Sequence, residues 1–219
     1  SDKHDMHNND SNPKHQMNTN QKTGGNGLPT ENLVKSIKHG PDEHGPASIT
    51  MAQKAYRRLD YPGLGLGDDG WRVLCYGQLR TLERPSNRRP PTREFDLHLT
   101  GNMHKFVWGF DGKKWSESDM IRFQYGERLR INMINDTMMS HPIHLHGMWM
   151  DLYAGGNLDT NPRKHTVIVQ PAELLTVDIT ADAPGQWAFH CHFLYHMEAG
   201  MFRTVAVVRS LEGGPISAV

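Results

Sequence analysis

Residues 190–201 read His-Cys-His-Phe-Leu-Tyr-His-Met-Glu-Ala-Gly-Met. Cys191 stands between His190 and His192; His196 lies five positions beyond it and Met201 ten. A thiolate, imidazoles and a thioether are thereby packed into a single run. One Cys, two His and a weak axial Met make the donor set of a blue-copper electron-transfer site. The run itself supplies Cys191, one His and Met201, so a second His must come from elsewhere in the fold. The segment His141-Pro142-Ile143-His144-Leu145-His146-Gly147, upstream, is a visible source.

The two His-x-His pairs add a second chemistry. In an extended strand, residues i and i+2 face one way and i+1 the other. If 190–192 is extended, His190 and His192 share a face and Cys191 points to the opposite one. One strand then serves two metal sites joined by covalent bonds through Cys191. His144 and His146 form another same-face pair, and four imidazoles converging on one place suit more than one copper ion. Zinc is the competing metal, but structural zinc usually shows paired Cys or Cys/His spacings that close a tetrahedron. This chain has two cysteines, of which only Cys191 sits among histidines, and the thioether also favours copper.

HPIHLHG followed by HCHFLYHMEAGM resembles the C-terminal cupredoxin domain of multicopper oxidases. The surrounding wording resembles the bacterial copper-resistance protein A branch: Asp136-Thr137-Met138-Met139, the run Pro162 to Val167, Thr180 to Gly185, and Leu99 to Met103 with Phe110-Asp111-Gly112. The resemblance implies that His141, Cys191, His196 and Met201 bind type 1 copper. It implies His144 as a type 2 ligand and His146, His190 and His192 as type 3 ligands. Electrons from a reductant, Cu(I) or a phenol-like molecule, would pass through Cys191 and the flanking His190 and His192 to a trinuclear cluster that reduces dioxygen to water. By the same resemblance the location is periplasmic.

The family's cluster takes half its histidines from this domain and half from an N-terminal domain bearing two more His-x-His motifs. No third such motif occurs here: His4, His7, His15, His39, His44, His98, His104 and His165 are each isolated from such a pair. The chain therefore reads as a complete type 1 site with half a cluster, a fragment of a longer enzyme or one subunit of an assembly. The expected partner is an N-terminal cupredoxin domain carrying the missing histidines. Met197 follows His196, where some relatives carry a carboxylate; Glu198 is one further on and receives no catalytic role.

The formal net charge is zero, which gives no basic surface for nucleic acid. No apolar run approaches the ~20 residues of a membrane span. The chain opens on Ser1 without a secretory leader, which fits a processed or truncated product. Mean hydropathy is −0.65, low enough to suggest that part of the chain is unfolded. Residues 1–46 are polar and aperiodic, a disordered tail or linker holding His4, Met6, His7, His15 and Met17. Residues 47–92 read as an extended interdomain segment, 93–209 as the cupredoxin domain and 210–219 as a C-terminal tail.

Within the domain, Glu94–Leu99, Arg128–Met133, His165–Val169, Leu174–Ile179, Gln186–Cys191 and Phe202–Val208 read as strands separated by turn signals such as Asp111-Gly112. This pattern predicts an all-β, Greek-key sandwich of cupredoxin type with a long, largely unstructured N-terminal segment. Leu194–Ala199 is expected to form one helical turn that swings His196 back to the metal. Upstream, Trp71–Tyr76 is expected as a short strand and Gln78–Leu82 as a helical turn, and Cys75 as a buried apolar residue. Met148 and Met150 read as core; Met138 and Met139 stay open between core and a soft entry surface for Cu(I). The function expected is a copper-dependent oxidase domain in copper resistance. The alternatives are a stand-alone blue-copper electron-transfer protein, which has no use for His144, His146, His190 and His192, and a copper buffer relying on the 1–46 tail.

Overall fold

The computed structural model describes residues 34–40, 45, 47–63, 65–82, 88–155 and 157–209. Two short strands, β1 (Val34–Ser36) and β2 (Lys54–Tyr56), pair antiparallel ahead of the domain. The domain then runs β3 (Arg93–Asn102), β4 (Val107–Phe110), β5 (Ile121–Gln124), β6 (Arg128–Asn135), β7 (His141–Leu145), β8 (Met150–Leu152), β9 (Arg163–Lys164), β10 (Thr166–Val169), β11 (Leu174–Thr180), β12 (Gly185–Cys191), α1 (Leu194–Glu198) and β13 (Phe202–Val208).

One sheet has the order β4-β3-β6-β11-β8-β9 and the other β10-β7-β12-β13-β5. The chain changes sheet after β4, β5, β6, β7, β9, β10 and β11, which makes the connections Greek-key. Two pairings, β3 with β6 and β13 with β5, are parallel. Alternation explains the core. Leu129, Ile131 and Met133 on β6 and Leu175, Val177 and Ile179 on β11 meet Ile143, Leu145, Phe189, Val205 and Val207 from the opposite sheet in one buried cluster. This is the β-sandwich that the period-2 patterning predicts.

The outer face of the six-stranded sheet is polar yet buried. Asp151 on β8 accepts from Arg88 Nη2 (3.2 Å), Arg128 Nη2 (3.0 Å) and Arg163 Nε (2.9 Å). Asp178 on β11 takes a bidentate pair from Arg130 at 2.7 and 3.1 Å. The segment before β3 covers part of the domain surface: Tyr76 Oη accepts from Ile168 N at 2.9 Å, and Thr81 N–H donates to Thr160 O at 3.1 Å.

Two local expectations need correction. Trp71–Tyr76 is not a strand: Trp71 is 80% and Leu74 71% exposed, so no sheet neighbour or core holds them extended. The helical turn falls earlier than expected, as a 3-10 turn at Tyr76–Gln78. Within the segment expected to be unstructured, β1 does form; His4, Met6, His7, His15 and Met17 lie outside the described residues, as do His44 and residues 210–219. Cys75 is buried as expected, and burial raises its thiol pKa. Met148 and Met150 are core, and Met138 is 77% exposed.

Glu173, immediately before β11, is 1% exposed, and burial pushes its carboxyl pKa up to about 7. The folded state thus holds a proton that the unfolded chain has already released above its ordinary value near 4.5. Stability from this group is complete below that value, falls as pH rises toward 7, and is level above it. The expected loss is about 3 kcal/mol across the window. Urea unfolding at stepped pH checks this: Glu173→Gln should flatten the profile, and an unchanged slope would contradict the assignment.

Candidate metal centre

Strand parity sorts the histidines. On β7, His141, Ile143 and Leu145 are buried toward the core, while His144 points the other way and is half-buried. The odd spacing between 141 and 144 does this, because an odd step in a strand changes face. β12 runs beside β7, with Cys191 opposite Ile143 and His190 opposite His144. The thiol therefore joins His141 on the core side, and the imidazoles of His190 and His144 share the outer side.

On the core side, Cys191 Sγ lies 3.7 Å from His141 Nδ1 and 3.8 Å from His196 Nδ1, and the two Nδ1 atoms are 3.2 Å apart. An ion placed trigonally at about 2.0 Å from each nitrogen and about 2.3 Å from sulfur needs edges of roughly 3.7 Å to sulfur and 3.5 Å between nitrogens. The three donors fit one small ion. His196 arrives through α1, the helical turn expected from the sequence. Met201 follows at the end of the turn, buried in the same cluster as Cys191. Its backbone is tied to both neighbours: Cys191 N–H donates to Met201 O at 3.1 Å and Met201 N–H donates to His196 O at 2.9 Å. Gly200 makes the corner possible. Its φ is +123°, and a Cβ there would come within 2.7 Å of Trp108 O and 2.4 Å of Lys114 Cβ.

The surroundings set the protonation states. His141 Nε2 lies 2.6 Å from Thr137 Oγ1. That hydroxyl has Asn135 Oδ1 at 2.8 Å and Met139 O at 3.1 Å as acceptors; donating to either leaves its oxygen to accept from His141 Nε2–H. The lone pair is left on Nδ1, the atom facing Cys191. Burial, with the His196 ring second, lowers the His141 pKa to about 3, so the ring is neutral and ready to donate. Burial also lowers His196. The Cys191 thiol is pushed up to about 11 by burial, partly offset by the Phe193 amide. Trp108 stacks on His196 at 4.0 Å and meets His141 edge-on at 5.4 Å.

On the outer side four imidazoles converge. His144 lies 4.5 Å from His146, 5.6 Å from His190 and 5.7 Å from His192, centroid to centroid. His146 Nε2 and His190 Nε2 are 3.0 Å apart. His190 Nδ1–H donates to Cys191 O at 2.9 Å and His144 Nδ1–H to His165 O at 2.6 Å; a carbonyl only accepts, so both rings keep the Nε2 lone pair. Burial lowers the pKa of both. His146 and His192 are exposed, so this group lies on an open face rather than in a closed pocket.

All eight residues expected as ligands are thus brought to two adjoining places. Sequence reading missed the groups that orient them: Asn135, Thr137, Trp108 and the His165 carbonyl. Only Thr137 and His165 stood in segments already singled out.

A buried Cys-His-His group beside a four-histidine face, carried on one β-sandwich, is a donor arrangement suited to copper. The pattern of the Multicopper oxidase family matches residues 88–210, and the chain belongs to that family. It is 46% identical over 181 residues to a Copper resistance protein A homolog of Pseudomonas syringae pv. tomato, covering 82% of this chain and 31% of that protein. It is 52% identical over 163 residues to Copper resistance protein A of Escherichia coli, covering 74% and 27%. The chain therefore spans about a third of the length of these curated relatives. Among solved structures, Fet3p, a multicopper oxidase that functions in iron import, superposes with TM-score 0.50 at 16% identity, covering 57% of this chain and 33% of that one. That likeness bears on the fold alone.

Proposed function

We propose that this chain is the C-terminal cupredoxin part of a copper-resistance oxidase. His141, Cys191, His196 and Met201 hold a type 1 copper; His144 serves a type 2 copper, and His146, His190 and His192 serve type 3 coppers. The observation that carries this reading is the end of β12, where the Cys191 thiol lies on the core side and His190, with His192 just beyond the strand, on the other. When bound, copper supplies one-electron uptake from Cu(I) or a phenol-like reductant at the first site and, in a completed cluster, reduction of dioxygen to water.

The protein residues supply the route and the selectivity. Cys191 is bonded through the backbone to His190 and His192, and the His190 Nδ1–H to Cys191 O hydrogen bond adds a shorter link between the two faces. His196 is 6% exposed while His141 and Cys191 are fully buried, so its ring is the edge nearest a docking reductant. The exposed His146 and His192 await histidines from an N-terminal cupredoxin domain, for which the chain's share of its relatives' length leaves room. Residues 1–46, 47–92, 93–209 and 210–219 then serve as tail, interdomain segment, cupredoxin domain and C-terminal extension. The reading carries a periplasmic location with it; among the described residues no helix is long and apolar enough to cross a membrane.

Dioxygen uptake tests the proposal. The copper-loaded chain with Cu(I) should give no sustained consumption alone and steady consumption once the N-terminal part of the protein is added. No uptake in the reconstituted protein would contradict it. The hydrogen bond from His141 Nε2–H to Thr137 Oγ1 predicts a second effect. Thr137→Val releases His141 Nε2–H and should weaken copper affinity at the thiolate site about 10- to 100-fold. Competition with a chelator, followed at the blue band, measures it; an unchanged affinity would mean that Thr137 does not orient the ring.

A further inference from the structure

Two histidines that stand alone in the sequence meet in the fold. His98 projects from β3 and is 3% exposed; Asp136 follows β6, the parallel neighbour of β3, and is 4% exposed. His39 comes from the stretch after β1, its side chain 11% exposed. His98 Nδ1 lies 2.6 Å and His39 Nδ1 4.0 Å from the same oxygen, Asp136 Oδ2. The two rings are 5.2 Å apart, and a donor atom from each of the three residues lies within 4.8 Å of the others.

The surroundings aim these atoms inward. His39 Nε2–H donates to Ala52 O at 3.0 Å, which leaves Nδ1, the nitrogen nearer the carboxylate, as the atom that can ligate a cation. The other Asp136 oxygen is occupied by Ala52 N–H at 2.8 Å, leaving Oδ2 to face the imidazoles. A lone pair and a carboxylate oxygen facing one another are drawn together by a cation between them.

We propose that His39, His98 and Asp136 form a second metal site, for a first-row divalent cation, separate from the thiolate site and the four-histidine face. Two imidazoles and one carboxylate suit Zn²⁺ and Cu²⁺, the latter binding such donors more tightly. Donors at about 2.0–2.1 Å from an ion stand roughly 3–3.4 Å apart. The His98–Asp136 pair opens slightly, His39 moves in, and the His98 Nδ1 proton is released to solvent as the metal binds. The ion ties three chain segments together and braces Asp136 between Asn135 and Thr137, which position His141. This inference does not depend on the oxidase reading.

Cadmium-113 NMR of the full chain loaded with Cd²⁺ tests it, because thiolate-bound and nitrogen/oxygen-bound cadmium resonate far apart. The expected result is that His39→Gln loses one nitrogen/oxygen-type resonance and keeps the thiolate-type one. Retention of every resonance in that variant overturns the proposal. A variant that loses all signals has lost its fold, and imidazole nitrogen spectra of the wild-type chain then decide. Cadmium-induced shifts at Nδ1 of both His39 and His98 support the site. A His98 Nδ1 that keeps its proton, with both rings unshifted, overturns it.

Discussion

Cys191→Ser abolishes the intense blue absorption of the Cu(II)-loaded chain, while copper on the histidine face persists. The colour of such a site comes from the thiolate bond to copper, and a buried serine hydroxyl cannot replace it. No other sulfur anion is at hand: the chain has two cysteines, and Cys75 is beside Leu59 and Tyr76, away from His141 and His196. Cys75→Ser is therefore the matched control and should keep the full band. The variant also separates the two faces of β12. His144, His146 and His190 are oriented by β7 pairing and by carbonyls of residues 165 and 191, none of which involves the thiol. Visible absorption and copper content measured together check both halves; a blue Cys191→Ser protein would sink the ligand assignment.

The largest effect on stability is expected at Asp151. Its carboxylate is 1% exposed and gathers Arg88, Arg128 and Arg163, of which Arg128 is as buried as the aspartate. Removing one partner of a buried ion pair leaves an uncompensated charge, at a cost of about 3–5 kcal/mol. Against a total of roughly 5–15 kcal/mol for a domain, Asp151→Ala should shift the urea midpoint strongly downward or leave the chain unfolded. Asp151→Asn keeps an acceptor and should lose less. A midpoint within error of wild type for the alanine variant would mean that solvent reaches these guanidinium groups.

The candidate site was legible in the sequence to the extent that the residues proposed as its ligands are periodic. The two-residue pleat divides His190 from Cys191 at the end of β12, and the odd step from His141 to His144 divides β7 in the same way; His192 follows in a bend, outside the strand. β13 begins and ends where its alternation does, and the turn carrying His196 falls within a residue of expectation. Contacts made across elements leave no such trace. Nothing local marks Trp108 as the ring that stacks on His196, since β4 is only four residues long and pairs at the edge of the sheet. Asn135 became visible only through its bonds to Thr137, Met139 and Val169. His39 and His98 read as isolated because the parallel pairing of β3 and β6 and the stretch after β1 bring them to Asp136. The expected strand at Trp71–Tyr76 failed for the complementary reason: Trp71 and Leu74 are left exposed, and among the described residues no strand pairs with the segment.

The most direct test of the central claim is a count of thiolate-bound Cu(II) by optical and electron paramagnetic resonance spectra on a Cu(II)-loaded chain of measured oligomeric state. One blue site per chain is expected, present in the monomer and independent of any added domain, because His141, Cys191, His196 and Met201 all come from one sandwich. A chain that binds copper without a blue signal, or that turns blue only on association with another chain, would contradict it.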